Sequence, residues 1–138
     1  MDRKIFLLML TKATASITFC SSFQGCDNES DIISPPFGVD FTLDLNDPSN
    51  SALLMDGGFI YRNGIIIVNI GNNIYIAFQQ ACSHQGTTLK YEHSNNRFHC
   101  PNHGSNFSTD GIVQNGPAVR NLKEYKIEIN GNILRIFD

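Results

Sequence analysis

Two short stretches, Cys82-Ser83-His84-Gln85-Gly86 and Cys100-Pro101-Asn102-His103-Gly104-Ser105, each carry one thiol and one imidazole in the same order, and they constrain this chain more than any other feature. Residues 85–99 separate His84 from Cys100, enough for a strand, a turn and a returning strand that bring the two stretches side by side. Two Cys and two His gathered in this way suit zinc as well as iron and sulfur, so ligand type alone leaves the metal open. Order along the chain narrows the choice. A zinc finger presents its cysteines first and then its histidines from a helix, whereas here each loop supplies one of each. A two-iron centre needs a pair of ligands on each iron, and two such loops can send both thiolates to one iron and both imidazoles to the other.

The surrounding sequence reads as strand after strand. Val39 to Leu45 alternates apolar and polar residues with period two, the pattern of a half-buried strand. Asn46-Asp47-Pro48-Ser49-Asn50 breaks it. Gly57-Gly58 and Asn63-Gly64 then frame Phe59-Ile60-Tyr61 as the first arm of a hairpin whose second arm, the β-branched run Ile65–Val68, belongs in the core. Gly71-Asn72-Asn73 turns the chain into Ile74–Phe78, which leads directly to Cys82, so the first loop hangs from a core strand. Short strands are expected at Thr88–Tyr91 and Arg97–Cys100 about a turn at Ser94-Asn95-Asn96. A hairpin is expected within Phe107–Val113, and another pairs Tyr125–Ile129 with Ile133–Phe137 across Asn130-Gly131-Asn132. No segment beyond the first 25 residues sustains a helical period. The fold class expected is all-β, antiparallel sheets or a small barrel, with little or no helix.

Set on this framework, the motif C-x-H-x15-C-x-x-H, with Gly86 two residues after the first His, Gly104-Ser105 after the second and a later Gly116-Pro117-Ala118, resembles the Rieske [2Fe-2S] family over roughly residues 38–138. The resemblance implies one [2Fe-2S] cluster, with Cys82 and Cys100 on the inner iron and His84 and His103 on the outer one, near an exposed tip. It implies a cluster-binding subdomain of about residues 80–117 inserted into a base of antiparallel sheets. Gly86 and Gly104 tolerate positive φ and let backbone N–H groups turn toward an anionic centre. Gly116-Pro117-Ala118 resembles the proline loop that covers the cluster, with Val119 where a second Pro is often found. His93, in a polar turn, and His99, on the face of its strand opposite Phe98, fall outside the ligand spacing.

The chain also departs from the family's quinol-oxidising members. Those carry an extra Cys on each loop, joined in a disulfide; Thr87 and Asn102 stand at the matching positions. They also place a Ser and a Tyr hydroxyl on the cluster sulfurs, and here Ser105 matches the first while Phe107 replaces the second. A reduction potential between those of oxygenase-linked ferredoxins and of quinol-oxidising proteins is the expectation.

A length of 138 residues accommodates one domain, and no further cluster of His and carboxylate remains for a mononuclear oxygenase iron. Residues 1–25 stand apart: a basic start at Arg3-Lys4, an apolar run Ile5–Leu10, then small and hydroxyl residues up to Gln24-Gly25-Cys26. This reads as an export signal, and Gly25-Cys26 resembles the lipobox of bacterial lipoproteins, with Phe23 where an aliphatic residue is preferred. Cys20 follows bulky Phe19 and is the poorer candidate. On this reading Cys26 carries lipid, 26–37 is an acidic tether ending in Pro35-Pro36, and Cys82 and Cys100 are the thiols left for the metal. Removal of 1–25 takes Arg3, Lys4, Lys12 and Asp2, leaving 7 basic and 12 acidic residues and a formal charge of −5, a balance that argues against nucleic-acid binding. The function expected is that of an electron-transfer protein rather than an enzyme. It would be lipid-anchored in the bacterial cell envelope, periplasmic or surface-facing, and served by a redox-protein donor and acceptor. The alternatives are a zinc-stabilised binding lipoprotein using the same four residues, and the Rieske subunit of a larger oxidoreductase.

Overall fold

The computed structural model describes residues 34–138, so the stretch read as an export signal, Cys26 and the stretch read as a tether up to residue 33 lie outside the described residues. Among the described residues ten strands fall into two antiparallel sheets. β1 (Asp40–Asp44), β2 (Phe59–Arg62), β3 (Ile65–Gly71), β4 (Ile74–Gln79), β9 (Glu124–Asn130) and β10 (Ile133–Phe137) form a six-stranded sheet in the order β1-β10-β9-β4-β3-β2. β5 (Lys90–Glu92), β6 (Arg97–His99), β7 (Asn106–Ser108) and β8 (Val113–Asn115) form a four-stranded sheet in sequence order. The fold is all-β, as the alternation and turn residues indicate.

β3 explains how the two sheets are held together. Its residues Ile65 to Asn69 are all buried, because a strand covered on both faces needs apolar side chains at every position rather than at every other one. Ile65 and Ile67 enter a core with Leu43, Leu53, Ala77, Tyr125, Leu134 and Ile136, while Ile66 and Val68 enter another with Phe78, Leu89, Tyr91, Phe98 and Phe107. The second core also contains Cys82 and Cys100. One strand thus joins the base of the fold to the thiols.

Turn chemistry sets the register. Asn63 and Gly64 both take positive φ between β2 and β3, and Asn72 and Asn73 do so between β3 and β4, the requirement of a two-residue hairpin loop. β9 and β10 pair from Asn130↔Ile133 to Lys126↔Phe137.

Two features differ from the sequence expectations. Pro48–Leu54 forms a 3-10 helix where only a strand break was expected; the Asp47 side chain accepts from the Ser49 amide and Pro48 takes the first turn, where its missing N–H costs nothing. The stretch read as the end of a free tether is fixed to the domain. The Pro36 carbonyl accepts from Lys123 Nζ at 2.8 Å and Tyr125 Oη at 2.8 Å, and Lys123 lies 4.1 Å from the centre of the Phe37 ring. Among the described residues no helix is long and apolar enough to cross a membrane.

Candidate metal centre

The two Cys-His stretches fold into loops with one backbone pattern. In loop 1 the Cys82 amide donates to the Thr87 carbonyl at 2.8 Å and the Gly86 amide donates to the Cys82 carbonyl at 2.8 Å. In loop 2 the Cys100 amide donates to the Ser105 carbonyl at 2.8 Å and the Gly104 amide to the Cys100 carbonyl at 3.0 Å. Gly86 and Gly104 close these turns at φ of 75° and 78°, a conformation that costs other L-residues about 1–2 kcal/mol. The glycines' own amides are therefore used inside the loops. It is the amides of His84 and Gln85 that face the Cys82 sulfur.

Different stems carry the two loops. Loop 1 leaves the end of β4 and is closed by the Ala81–Thr88 bridge and by the Leu89 amide donating to the Gln80 carbonyl at 2.9 Å. Loop 2 is the turn of the β6–β7 hairpin, just past the His99–Asn106 pair.

The four candidate ligands sort into two pairs. Cys82 and Cys100 are buried, are not in a disulfide, and stand within hydrogen-bonding reach of each other. Burial pushes the Cys82 thiol up and the neighbouring Cys100 adds to the rise, while the His84 and Gln85 amides act in the opposite direction. The His84 and His103 rings meet edge to face with centres 4.9 Å apart; His84 is half-buried and His103 exposed. Nδ1 of His84 is buried with no hydrogen-bond partner among the described residues, an arrangement that costs about 1–3 kcal/mol unless something outside the polypeptide satisfies it.

A [2Fe-2S] cluster fits this donor set: two thiols in contact within an apolar core, and two imidazoles in contact with each other, one with an orphaned ring nitrogen. Two buried thiols and two more exposed imidazoles match the two-plus-two division of ligands between the irons of a mixed-ligand [2Fe-2S] centre.

Ser105 is buried and its Oγ accepts from the Ala118 amide at 2.9 Å, which leaves its hydroxyl hydrogen to donate elsewhere. Phe107 is fully buried in the same core as both thiols. In the Gly116-Pro117-Ala118 segment Ala118 provides the buried contact beside the cysteines. Pro117 itself is exposed, and the next residue is held inward by the bond from its amide to Ser105. His99 binds Asn106 Oδ1 through Nδ1 at 2.8 Å, and His93 packs beside Tyr91, ring centres 6.2 Å apart. Neither joins the His84–His103 pair.

Sequence reasoning missed three other residues. Ser83 Oγ donates to the Arg120 carbonyl while Arg120 Nη2 donates to the Ser83 carbonyl at 3.2 Å. Asn115 Nδ2 donates to the carbonyls of Gly104 at 2.9 Å and Gly116 at 3.0 Å. The position of Ser83 between two candidate ligands was the one available signal; contact with Arg120, 37 residues later, has none.

The Rieske [2Fe-2S] domain family model matches residues 43–126, more than half of the chain, and the chain belongs to that family. Membership implies one [2Fe-2S] cluster. The chain is 32% identical over 72 residues, 52% of its own length and 39% of the relative's, to the cytochrome b6-f complex iron-sulfur subunit of Chlorobaculum thiosulfatiphilum. It is 43% identical over 54 residues, 38% of its length and 21% of the relative's, to the chloroplastic cytochrome b6-f complex iron-sulfur subunit of Bigelowiella natans. It thus spans about two fifths or less of these relatives. Among solved structures, the cyanobacterial plasma membrane Rieske protein PetC3 from Synechocystis PCC 6803 superposes with a TM-score of 0.55 at 27% identity, covering 64% of this chain and 93% of that one. The ferredoxin of carbazole 1,9a-dioxygenase from Nocardioides aromaticivorans IC177 shares the fold, with a TM-score of 0.55 at 17% identity over 74% of this chain and 98% of that one.

Proposed function

We propose that this chain is a one-electron transfer protein in which Cys82 and Cys100 hold the inner iron and His84 and His103 the outer iron of the [2Fe-2S] cluster. The domain is taken as residues 38–138, with about 80–117 as its cluster-binding part. The observation that carries this reading is the separation of the donors into a buried thiol pair and a more exposed imidazole pair on two loops of matching backbone. The bound cluster supplies a one-electron couple, and with two thiolates and two neutral imidazoles the oxidised centre sums to zero charge rather than the minus two of four thiolates, which places such potentials at roughly −150 to +300 mV against about −400 mV.

The polypeptide's part is to hold and gate that couple. Leu89, Phe98, Phe107 and Ala118 keep water from the thiols. Exposed His103 offers an imidazole edge to a partner. Ser105 is the one hydroxyl of the family pattern that this chain retains, with Phe107 at the other position, and neither loop has a second cysteine; these differences favour a potential between the ferredoxin and quinol-oxidising ranges. A redox titration at either extreme would contradict this.

The relatives' names point to redox partners such as those of a cytochrome b6-f complex. The chain passes electrons between a donor and an acceptor protein, either as a free relay or as a subunit of a larger oxidoreductase, without a reaction of its own. Gly25-Cys26 supports lipid anchoring in the cell envelope after removal of residues 1–25. Lipid-precursor labelling that is lost on Cys26→Ser checks the anchor. Two irons and two labile sulfides per chain are expected on analysis; a colourless protein with one zinc and no sulfide would sink the reading.

A further inference from the structure

Apart from the thiol pair, the hydrogen bonds that tie loop 1 to loop 2 among the described residues run through residues 115–120. At one end Asn115 Nδ2 grips the Gly104 carbonyl of loop 2 and the Gly116 carbonyl of its own segment. In the middle the Ala118 amide donates to Ser105 Oγ, a buried bond. At the other end Ser83 of loop 1 and Arg120 bind each other's carbonyls reciprocally. The segment is itself tied down on both sides: the Asn121 side chain accepts from the Val113 amide at 3.0 Å, and the Leu122 amide donates to the Gly111 carbonyl at 2.9 Å.

We propose that residues 115–120 form a hydrogen-bonded brace that holds the two ligand loops at a fixed separation, with Ser83, Arg120 and Asn115 as positioning residues for His84 and His103. Three physical points support it. First, neither loop carries a second cysteine, so no covalent link joins them. Second, the Ser83 carbonyl that Arg120 binds lies in the chain between Cys82 and His84, and the Gly104 carbonyl that Asn115 binds follows His103 directly, so the contacts act next to the ligands rather than at the loop stems. Third, the guanidinium brings a positive charge beside loop 1, where it favours the more negative, reduced state of a centre bound there.

The brace rests on the ligand assignment made above, and its test separates the two. The full-length protein is purified with its cluster, and loss of visible absorbance is followed in excess chelator for wild type, Ser83→Ala, Asn115→Ala, Arg120→Gln and Arg120→Lys. Midpoint potential and amide-exchange protection of β3 and β10 are measured on the same samples. Each exposed bond contributes on the order of 0.5–1 kcal/mol, so Ser83→Ala, Asn115→Ala and Arg120→Gln shorten the cluster half-life about two- to fivefold. Ser83→Ala combined with Asn115→Ala multiplies the two effects, since each grips a different loop. Protection of β3 and β10 stays at the wild-type level. Arg120→Gln lowers the midpoint potential and Arg120→Lys, which keeps the charge and a donor, restores it. Half-lives equal to wild type, or strand protection falling in step with cluster loss, would overturn the brace while leaving the ligand assignment intact. A wild-type protein that holds no iron would overturn the assignment itself.

Discussion

Phe107 is the residue at which the chain's chemistry is most open to a single-atom change. It is fully buried in the core that contains Cys82 and Cys100, and the resemblance drawn from the sequence sets it at the position of a hydroxyl donor to the cluster sulfur. Phe107→Tyr is expected to raise the midpoint potential by about 30–60 mV, the one-electron equivalent of a hydrogen bond of about 0.7–1.4 kcal/mol made preferentially to the reduced state. A potential equal to wild type would mean that the ring edge does not reach the sulfur. Gly104 makes a complementary case. Its φ is 78° and a Cβ there would meet nothing within 4 Å, so Gly104→Ala carries a conformational cost alone, about 1–2 kcal/mol in chemical denaturation. A loss well above that would point to a contact the geometry does not contain.

β3 divides its side chains between two cores, and its mutants should divide in the same way. Ile66→Ala and Ile67→Ala each remove a fully buried side chain and are expected to destabilise the domain by about 2–5 kcal/mol in urea. Only Ile66 shares a core with Cys82 and Cys100, so only Ile66→Ala should also speed cluster loss. The segment before β1 has a pH signature. Burial, with Asp138 nearby, pushes the Tyr125 hydroxyl up to about 12, and that hydroxyl donates to the Pro36 carbonyl. The folded state therefore holds this proton above pH 10 when the unfolded chain releases it, and stability falls as pH rises from about 10 to 12. Tyr125→Phe should flatten that slope in thermal melts; an unchanged slope would assign it to another group.

Strands of this kind were legible because β-branched runs and Asn-Gly turns act locally: Asn63-Gly64 and Asn130-Gly131 each mark a hairpin found in the structure. The Cys-His spacing was legible for the same reason, since Gly86 and Gly104 each close a turn on the cysteine four residues before. What escaped depends on distant partners. The attachment of Pro36 needs Lys123 and Tyr125, 87 and 89 residues away, and the buried bond of Ala118 needs Ser105, 13 residues earlier.

For the whole molecule, the two sheets make a scaffold that holds two loops of common geometry over an apolar core containing two thiols. Family membership brings one [2Fe-2S] cluster to this scaffold, and on the ligand assignment proposed above its histidine side is outermost. The most direct test is pulsed electron paramagnetic resonance of the reduced protein carrying ¹⁵N-labelled histidine. The account predicts magnetic coupling to two histidine nitrogens. His84→Gln and His103→Gln should each remove one coupling or the signal altogether, while His93→Gln and His99→Gln leave both in place. A reduced centre without histidine coupling, or one that loses a coupling when His93 or His99 is replaced, would contradict it.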